Sequence, residues 1–215
     1  MAESYCGECA TGKLGCKDCC TDPFVGKDPG FWMTLSDVSR IVNNAKINPD
    51  EFCRFTTVDE DDLEEEDDID EKHDELMSYN DKVILMNSNG RKKCFFLGKN
   101  GCNVFDSRPK MCRIFPFWFK EKEDDVQITI QHEEKFEEEE CMVSKVHYGS
   151  QDIPYLLKCI GETEEGMKNC IKEYLKEMEF HSKFKHELER KSILQILKDN
   201  GFVDKNIKTD STNKP

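Results

Sequence analysis

No stretch of the 215-residue sequence approaches the roughly 18 consecutive apolar residues that a membrane-spanning helix needs. Residues 1–8 also lack the basic segment and the apolar segment of a secretory signal peptide. No phosphate-binding glycine loop, H-E-x-x-H motif or Ser-His-Asp arrangement is found. We therefore expect a cytoplasmic protein whose chemistry is not carried by any of these motifs.

Basic residues are scarce beside acidic ones. The chain has 31 Lys and Arg against 45 Asp and Glu, which gives a formal net charge of -14. Such a surface repels nucleic-acid phosphates and anionic lipids, so neither is an expected partner. A basic protein partner or a larger protein complex would suit this charge better.

Cysteine, in contrast, is abundant, with twelve residues. In a reducing cytosol, clustered cysteines indicate metal or redox chemistry more often than disulfides. Two C-x-x-C pairs, Cys6/Cys9 and Cys16/Cys19, lie close together, and Cys20 follows directly. Thiolates are soft ligands that select zinc, copper(I) or iron–sulfur clusters. A tetrahedral zinc needs four such ligands, and a four-iron cluster usually needs four.

Three further cysteines, Cys94, Cys102 and Cys112, lie in a region rich in turns. Short loops could hold these three cysteines close together, and each cysteine could supply a ligand that the N-terminal group lacks. Three others occupy apolar-facing positions of predicted helices, where cysteine usually serves as a small buried hydrophobe. These are Cys53, Cys159 and Cys170.

Several segments together resemble a known family. They are Cys16-Lys-Asp-Cys19-Cys20, Thr34 to Ile41, Cys94-Phe-Phe-Leu, and above all Cys102-Asn-Val-Phe-Asp-Ser-Arg-Pro-Lys-Met-Cys112-Arg-Ile-Phe-Pro116. They are similar to the CxxCxxCC family, a zinc- or iron-chelating domain also named the YkgJ-like cysteine cluster family. The resemblance covers roughly residues 6–150.

The resemblance implies a further ligand and leaves one position in doubt. Cys141 is similar to a later cysteine of the family. The family pattern places its first cysteine at position 13, where this chain has Lys13, so Cys9 or Cys6 is the candidate replacement. A distant resemblance to flagellin lysine N-methylases implies an iron–sulfur cluster and S-adenosylmethionine as methyl donor. No separate glycine-rich donor site is found, so whether the protein is an enzyme stays open.

Two arginines, Arg108 and Arg113, flank Cys112. They could offset the negative charge of a thiolate-bound cluster or hold an anionic ligand. The alternative is that they form salt bridges with the abundant carboxylates. Among the histidines, His132 and His147 lie nearest the cysteines, and the other three, which are His73, His181 and His186, are expected to be solvated.

The pattern of elements predicts an α+β fold: a small, irregular, cysteine-rich core with short β-hairpins, followed by a C-terminal helical hairpin. Capping signals predict helices after Thr34 and Asn48, the latter with Glu51 completing a capping box. Asn89-Gly90 predicts a hairpin over 82–97, and Val126–Gln131 is predicted to pair with Phe115–Phe119. Pro109 is expected to start a helical turn, and helices are predicted over roughly 153–160, 163–183 and 186–199.

These patterns divide the sequence into three predicted regions. Residues 1–150 form the metal-binding domain, with 59–75 as a solvated acidic insertion, 151–202 a helical extension, and 203–215 a polar tail. Nine candidate cysteine ligands exceed the needs of one zinc, although two zinc ions would also account for them. An iron–sulfur protein with a redox, assembly or methyl-transfer role is therefore preferred. A zinc-stabilised interaction module and a metal-delivery chaperone remain as alternatives.

Overall fold

The structure is a computed structural model, and it confirms the α+β class: its described residues form three two-stranded antiparallel sheets among the helices. The residues that it describes are 30–57, 68–88, 93–98, 101–115, 117–123, 125–130, 152–159 and 161–207.

The first two helices begin where capping residues predict. Helix α1 spans Leu35–Ala45, and Thr34 and Asp37 form the expected reciprocal capping box. Helix α2 spans Pro49–Phe52, and the Asn48 side chain accepts from the Asp50 N–H. The predicted box with Glu51 is wrong, because the Asn48 side chain meets the Asp50 N–H instead of the Glu51 N–H.

The chain leaves α2 directly into strand β1, Cys53–Thr57, which pairs antiparallel with β2, Lys82–Met86. The prediction of strand 82–87 is confirmed, but its predicted partner, Arg91–Leu97, is wrong. Both edges of β2 are hydrogen-bonded. Strand β1 pairs with one edge, and residues 31–33 lie along the other. There the Met86 N–H donates to the Phe31 carbonyl at 2.9 Å, and the Met33 N–H donates to the Ile84 carbonyl at 2.8 Å. Only an isolated bridge, Ser88 with Cys94, joins the described ends of the predicted hairpin.

The connection from β1 to β2 contains the acidic stretch. Residues 58–67 lie outside the described part, and helix α3 follows over Asp68–Met77. Helix α3 extends beyond the predicted insertion 59–75: Met77 is fully buried and Leu76 packs beside it, so the residues directly after the insertion are anchored to the core.

The central region is built from short elements. They are β3 (Leu97–Gly98), β4 (Gly101–Cys102), a 3₁₀ turn (Phe105–Ser107), α4 (Lys110–Ile114), β5 (Phe117–Glu121) and β6 (Val126–Ile130). The predicted helical turn after Pro109 and the predicted pairing of β5 with β6 are both confirmed.

The C-terminal part contains α5 (Ile153–Cys159), α6 (Glu164–Phe184), a 3₁₀ segment (Lys185–Glu189) and α7 (Ile193–Asp199). The helix predicted over 186–199 is divided, because Ser192 is extended and its side chain caps α7 by accepting from the Gln195 N–H. Val203 is 4% exposed, so the packed chain continues beyond Phe202.

Two large apolar cores, with a small cluster of Val83 and Leu85, hold the described elements together. The first joins α1, α2, the β1–β2 pair and α7, and the second joins β5, β6, α4, α5 and α6. The C-terminal helices therefore contribute to both cores. No described helix combines the length and apolar character that a bilayer crossing requires.

Candidate metal centre

The described part of the chain contains three of the nine cysteines predicted as ligands. Cys102 and Cys112 are half-buried, and Cys94 is 7% exposed. The other six lie outside the described residues, and these are Cys6, Cys9, Cys16, Cys19, Cys20 and Cys141.

Cys102 ends β4, opposite Leu97, and its thiol has a basic neighbour. Burial raises the pKa of this thiol, whereas a backbone hydrogen bond at Val104 and the positive charge of Arg108 act to lower it. The Arg108 guanidinium lies over the Phe105 ring, 4.1 Å from its centroid. Its Nε is buried and has no hydrogen-bond partner among the described residues, so an anionic group beside it would satisfy this N–H.

Cys112 lies in the middle of α4, a helix of five residues. Pro109 precedes it and supplies no side-chain cap, but the Lys110 N–H donates to Oδ1 of Asp37 at 3.0 Å. Arg113 forms an ion pair with Glu162 at 3.3 Å, which is the carboxylate alternative expected for this arginine. The two predicted arginines therefore differ: Arg108 neighbours a candidate ligand, and Arg113 is engaged with a surface carboxylate.

The first core contains Cys53 and Cys94, and the second contains Cys170. The Cys94 thiol donates to Sδ of Met86 at 3.2 Å. Cys53 donates to the Pro49 carbonyl at 3.3 Å, and burial, with Asp50 nearby, raises its thiol pKa. It lies in β1 rather than in the predicted helix. Burial likewise raises the pKa of Cys170, which is 5% exposed, so the role of Cys53 and Cys170 as buried hydrophobes is confirmed.

Across the described ranges, no three His, Cys, Asp or Glu side chains stand close enough together to hold a metal ion. Cys94, Cys102 and Cys112 thus do not complete a site by themselves. Their chemistry nevertheless fits a thiolate-bound metal, because two half-buried thiols and an unpartnered arginine N–H occur within one short segment. A full ligand set requires cysteines from residues 1–29 or Cys141.

His181 is buried and His73 is half-buried, although solvated positions were expected for both. His181 is 0% exposed: its Nδ1 accepts from the Leu35 N–H at 3.2 Å, and its Nε2 donates to the Met77 carbonyl at 3.1 Å. The side chain of His73 is 11% exposed. It stacks on Trp32, and its Nε2 lies 2.9 Å from Oη of Tyr174. His132 and His147 lie outside the described residues.

A signal for His181 existed in the sequence. His181 continues a row of buried residues along α6 that are alternately four and three positions apart. The earlier members of this row are Met167, Ile171, Tyr174 and Met178. A histidine in such a row is buried and needs two partners. No comparable local pattern indicates His73, whose neighbours come from distant segments.

Comparison with known proteins gives one finding. The family model "CxxCxxCC: Putative zinc- or iron-chelating domain" matches residues 5–142, which include all nine candidate cysteines together with Arg108 and Arg113. No curated protein and no solved structure matches the chain at a significant level.

Proposed function

The chain belongs to the CxxCxxCC family of zinc- or iron-chelating domains, and from this membership we propose that its cysteine thiolates hold an iron–sulfur cluster. The number of candidate ligands supports this proposal, because nine cysteines exceed the four that one zinc ion would use. In this proposal, Cys102 and Cys112 supply thiolates from the described residues, and further thiolates come from the N-terminal segment and Cys141.

The observation that carries the proposal is the buried Nε of Arg108, which lies near Cys102 and has no partner within the described part of the chain. A buried N–H without an acceptor is costly, whereas an anionic metal–thiolate group beside it would accept its hydrogen bond. Hydrogen bonds and charges around the cysteine sulfurs tune the potential of iron–sulfur clusters. Arg108 would perform this function, and the cluster would supply electron-transfer chemistry.

The protein would act in the cytoplasm as a redox, assembly or methyl-transfer component of a larger system. A net charge of -14 favours a partner with a basic surface. Methyl transfer would require S-adenosylmethionine, and binding of this donor is the assay that would separate it from the two other roles.

The family description names zinc as well as iron, which keeps a second candidate. A structural zinc would use four of the nine thiolates, so a zinc-stabilised interaction module is the alternative. A third role, that of a metal-delivery chaperone, differs from both because its metal would be bound weakly and would exchange readily.

Anaerobic purification of the full chain followed by absorption spectroscopy and metal and sulfide analysis tests these roles. Iron and acid-labile sulfide in equal amounts, with a broad visible band, would establish the cluster. A colourless protein with stoichiometric zinc would establish the structural module, and substoichiometric metal that exchanges readily would favour delivery.

The ligand assignment is tested by Cys112→Ser, which should lose most of the bound metal because a hydroxyl is a poor ligand for a soft metal centre. The matched control is Cys53→Ser, since a serine hydroxyl can donate to the same Pro49 carbonyl as the native thiol. Wild-type metal content in Cys112→Ser, or equal loss in both variants, would contradict the assignment.

A further inference from the structure

Asp37 is a completely buried carboxylate in a strongly acidic protein. Burying a charge is costly unless donors surround it. One oxygen, Oδ2, accepts from the Thr34 N–H at 3.0 Å and from the Thr34 hydroxyl at 2.9 Å. This half of the carboxylate completes the capping box of its own helix, α1.

The other oxygen, Oδ1, serves a different part of the chain. It accepts from the Lys110 backbone N–H at 3.0 Å, and the Arg40 guanidinium also donates to it. Lys110 is the first residue of α4, the helix that contains Cys112. One side chain therefore caps the N-termini of two helices that are far apart in the sequence.

Helix α4 depends on such external contacts. A helix of five residues cannot sustain itself, and Pro109 at its N-cap has no side-chain hydrogen bond to offer. Its position is fixed by Asp37 at the first N–H, by the ion pair of Lys110 with Glu173 of α6, and by burial of Ile114. Of these three contacts, the one with Asp37 is made to the backbone of α4, and the other two are made to its side chains.

We infer that Asp37 is the positioning residue of the metal centre: by holding the N-terminus of α4, it places the Cys112 thiol where metal binding needs it. This inference rests on the proposed function, since it requires Cys112 to be a ligand. Groups that orient metal ligands affect affinity even though they do not touch the metal.

The sharpest perturbation is Asp37→Asn, which preserves shape and changes one acceptor into a donor. Whichever way the amide is turned, its NH₂ group faces either the Thr34 N–H or the Lys110 N–H, and two donors oppose each other. The matched control is Glu177→Gln. Glu177 accepts from the same Arg40 at 2.6 Å, so the control removes an equal charge, but the structure gives it no hydrogen bond to α4.

A second control separates positioning from general stability. His181→Gln disturbs the N-terminus of α1 at Leu35 and leaves the contact between Asp37 and Lys110 in place. The full-length proteins are challenged anaerobically with EDTA, at a temperature where circular dichroism shows every variant folded. Bound iron and zinc are then quantified after removal of the chelator.

We expect Asp37→Asn to release half of its metal at an EDTA concentration lower by about tenfold or more, the effect typical of groups that orient ligands. Glu177→Gln and His181→Gln should match the wild type. Wild-type retention by Asp37→Asn, when Cys112→Ser loses its metal, would overturn the inference and leave the proposed function standing. Equal weakening in Asp37→Asn and His181→Gln would also overturn it. Wild-type retention by Cys112→Ser would overturn both.

Discussion

Protonation of His181 should cost the folded protein about 3 kcal/mol as the pH falls from 6.5 to 4, the range between its ordinary and folded pKa values. Burial lowers the pKa of this imidazole to about 4, outweighing the opposite effect of the hydrogen bond to the Met77 carbonyl. Because the folded pKa lies below the unfolded one, the stabilisation is fully present above pH 6.5. It is lost progressively as the pH falls toward 4.

The partners of His181 fix its neutral tautomer. A backbone N–H at Leu35 can only donate and a carbonyl at Met77 can only accept, so Nδ1 is bare and Nε2 carries the hydrogen. The ring thus caps the first turn of α1 and the last turn of α3. A proton added at Nδ1 would oppose the Leu35 N–H in a site without water access.

The variant His181→Gln isolates this effect from the other acid-sensitive groups. Glutamine does not titrate and can still donate to Met77, but it leaves the Leu35 N–H without its acceptor, at a cost of about 1–3 kcal/mol at pH 8. Urea denaturation of both proteins, followed by circular dichroism between pH 8 and pH 4, measures the difference in unfolding free energy. That difference should shrink below pH 6.5 and vanish or reverse near pH 4. A difference independent of pH would refute the assignment of a buried neutral imidazole.

Two further substitutions test contacts around the cores and the centre. Tyr174→Phe removes the hydroxyl that meets Nε2 of His73 at 2.9 Å and should lower stability by about 1 kcal/mol; an unchanged melting temperature would contradict the bond. Arg108→Gln should reduce metal retention under EDTA more than Arg113→Gln does, because only Arg108 neighbours Cys102 and only Arg113 has a carboxylate partner at Glu162. Equal retention by the two variants would remove Arg108 from the centre.

The parts of the fold that the sequence predicts are those with local signals. The capping box at Thr34 and Asp37 spans three residues, and Pro109 starts a helix at the next position. Strands β5 and β6 are joined by a short turn, so their pairing is also local. In each case, the residues that determine the element are neighbours along the chain.

The errors arise where distant segments compete. Asn89-Gly90 favours a local hairpin, but β2 takes its partners from β1 and from residues 31–33, because these cover both of its edges. His181 shows the same limitation: its position on α6 indicates burial, but its two partners belong to α1 and α3. For the metal centre, spacing identifies candidate cysteines, whereas their grouping depends on segments that no local pattern brings together.

The helix beyond the matched family region is itself part of the support of the metal-binding segment. Three polar side chains of α6, spaced one turn apart, contact α1 and α4, the two helices that Asp37 joins. Glu173 forms an ion pair with Lys110 of α4. Glu177 forms an ion pair with Arg40 of α1, and His181 accepts from the Leu35 N–H at the start of α1. The family match ends at residue 142, yet these contacts come from residues 173–181. A folding unit cut at the end of the match would lose α6 as a whole, including the Glu173 ion pair that anchors Lys110 of α4 and the apolar face that completes the second core.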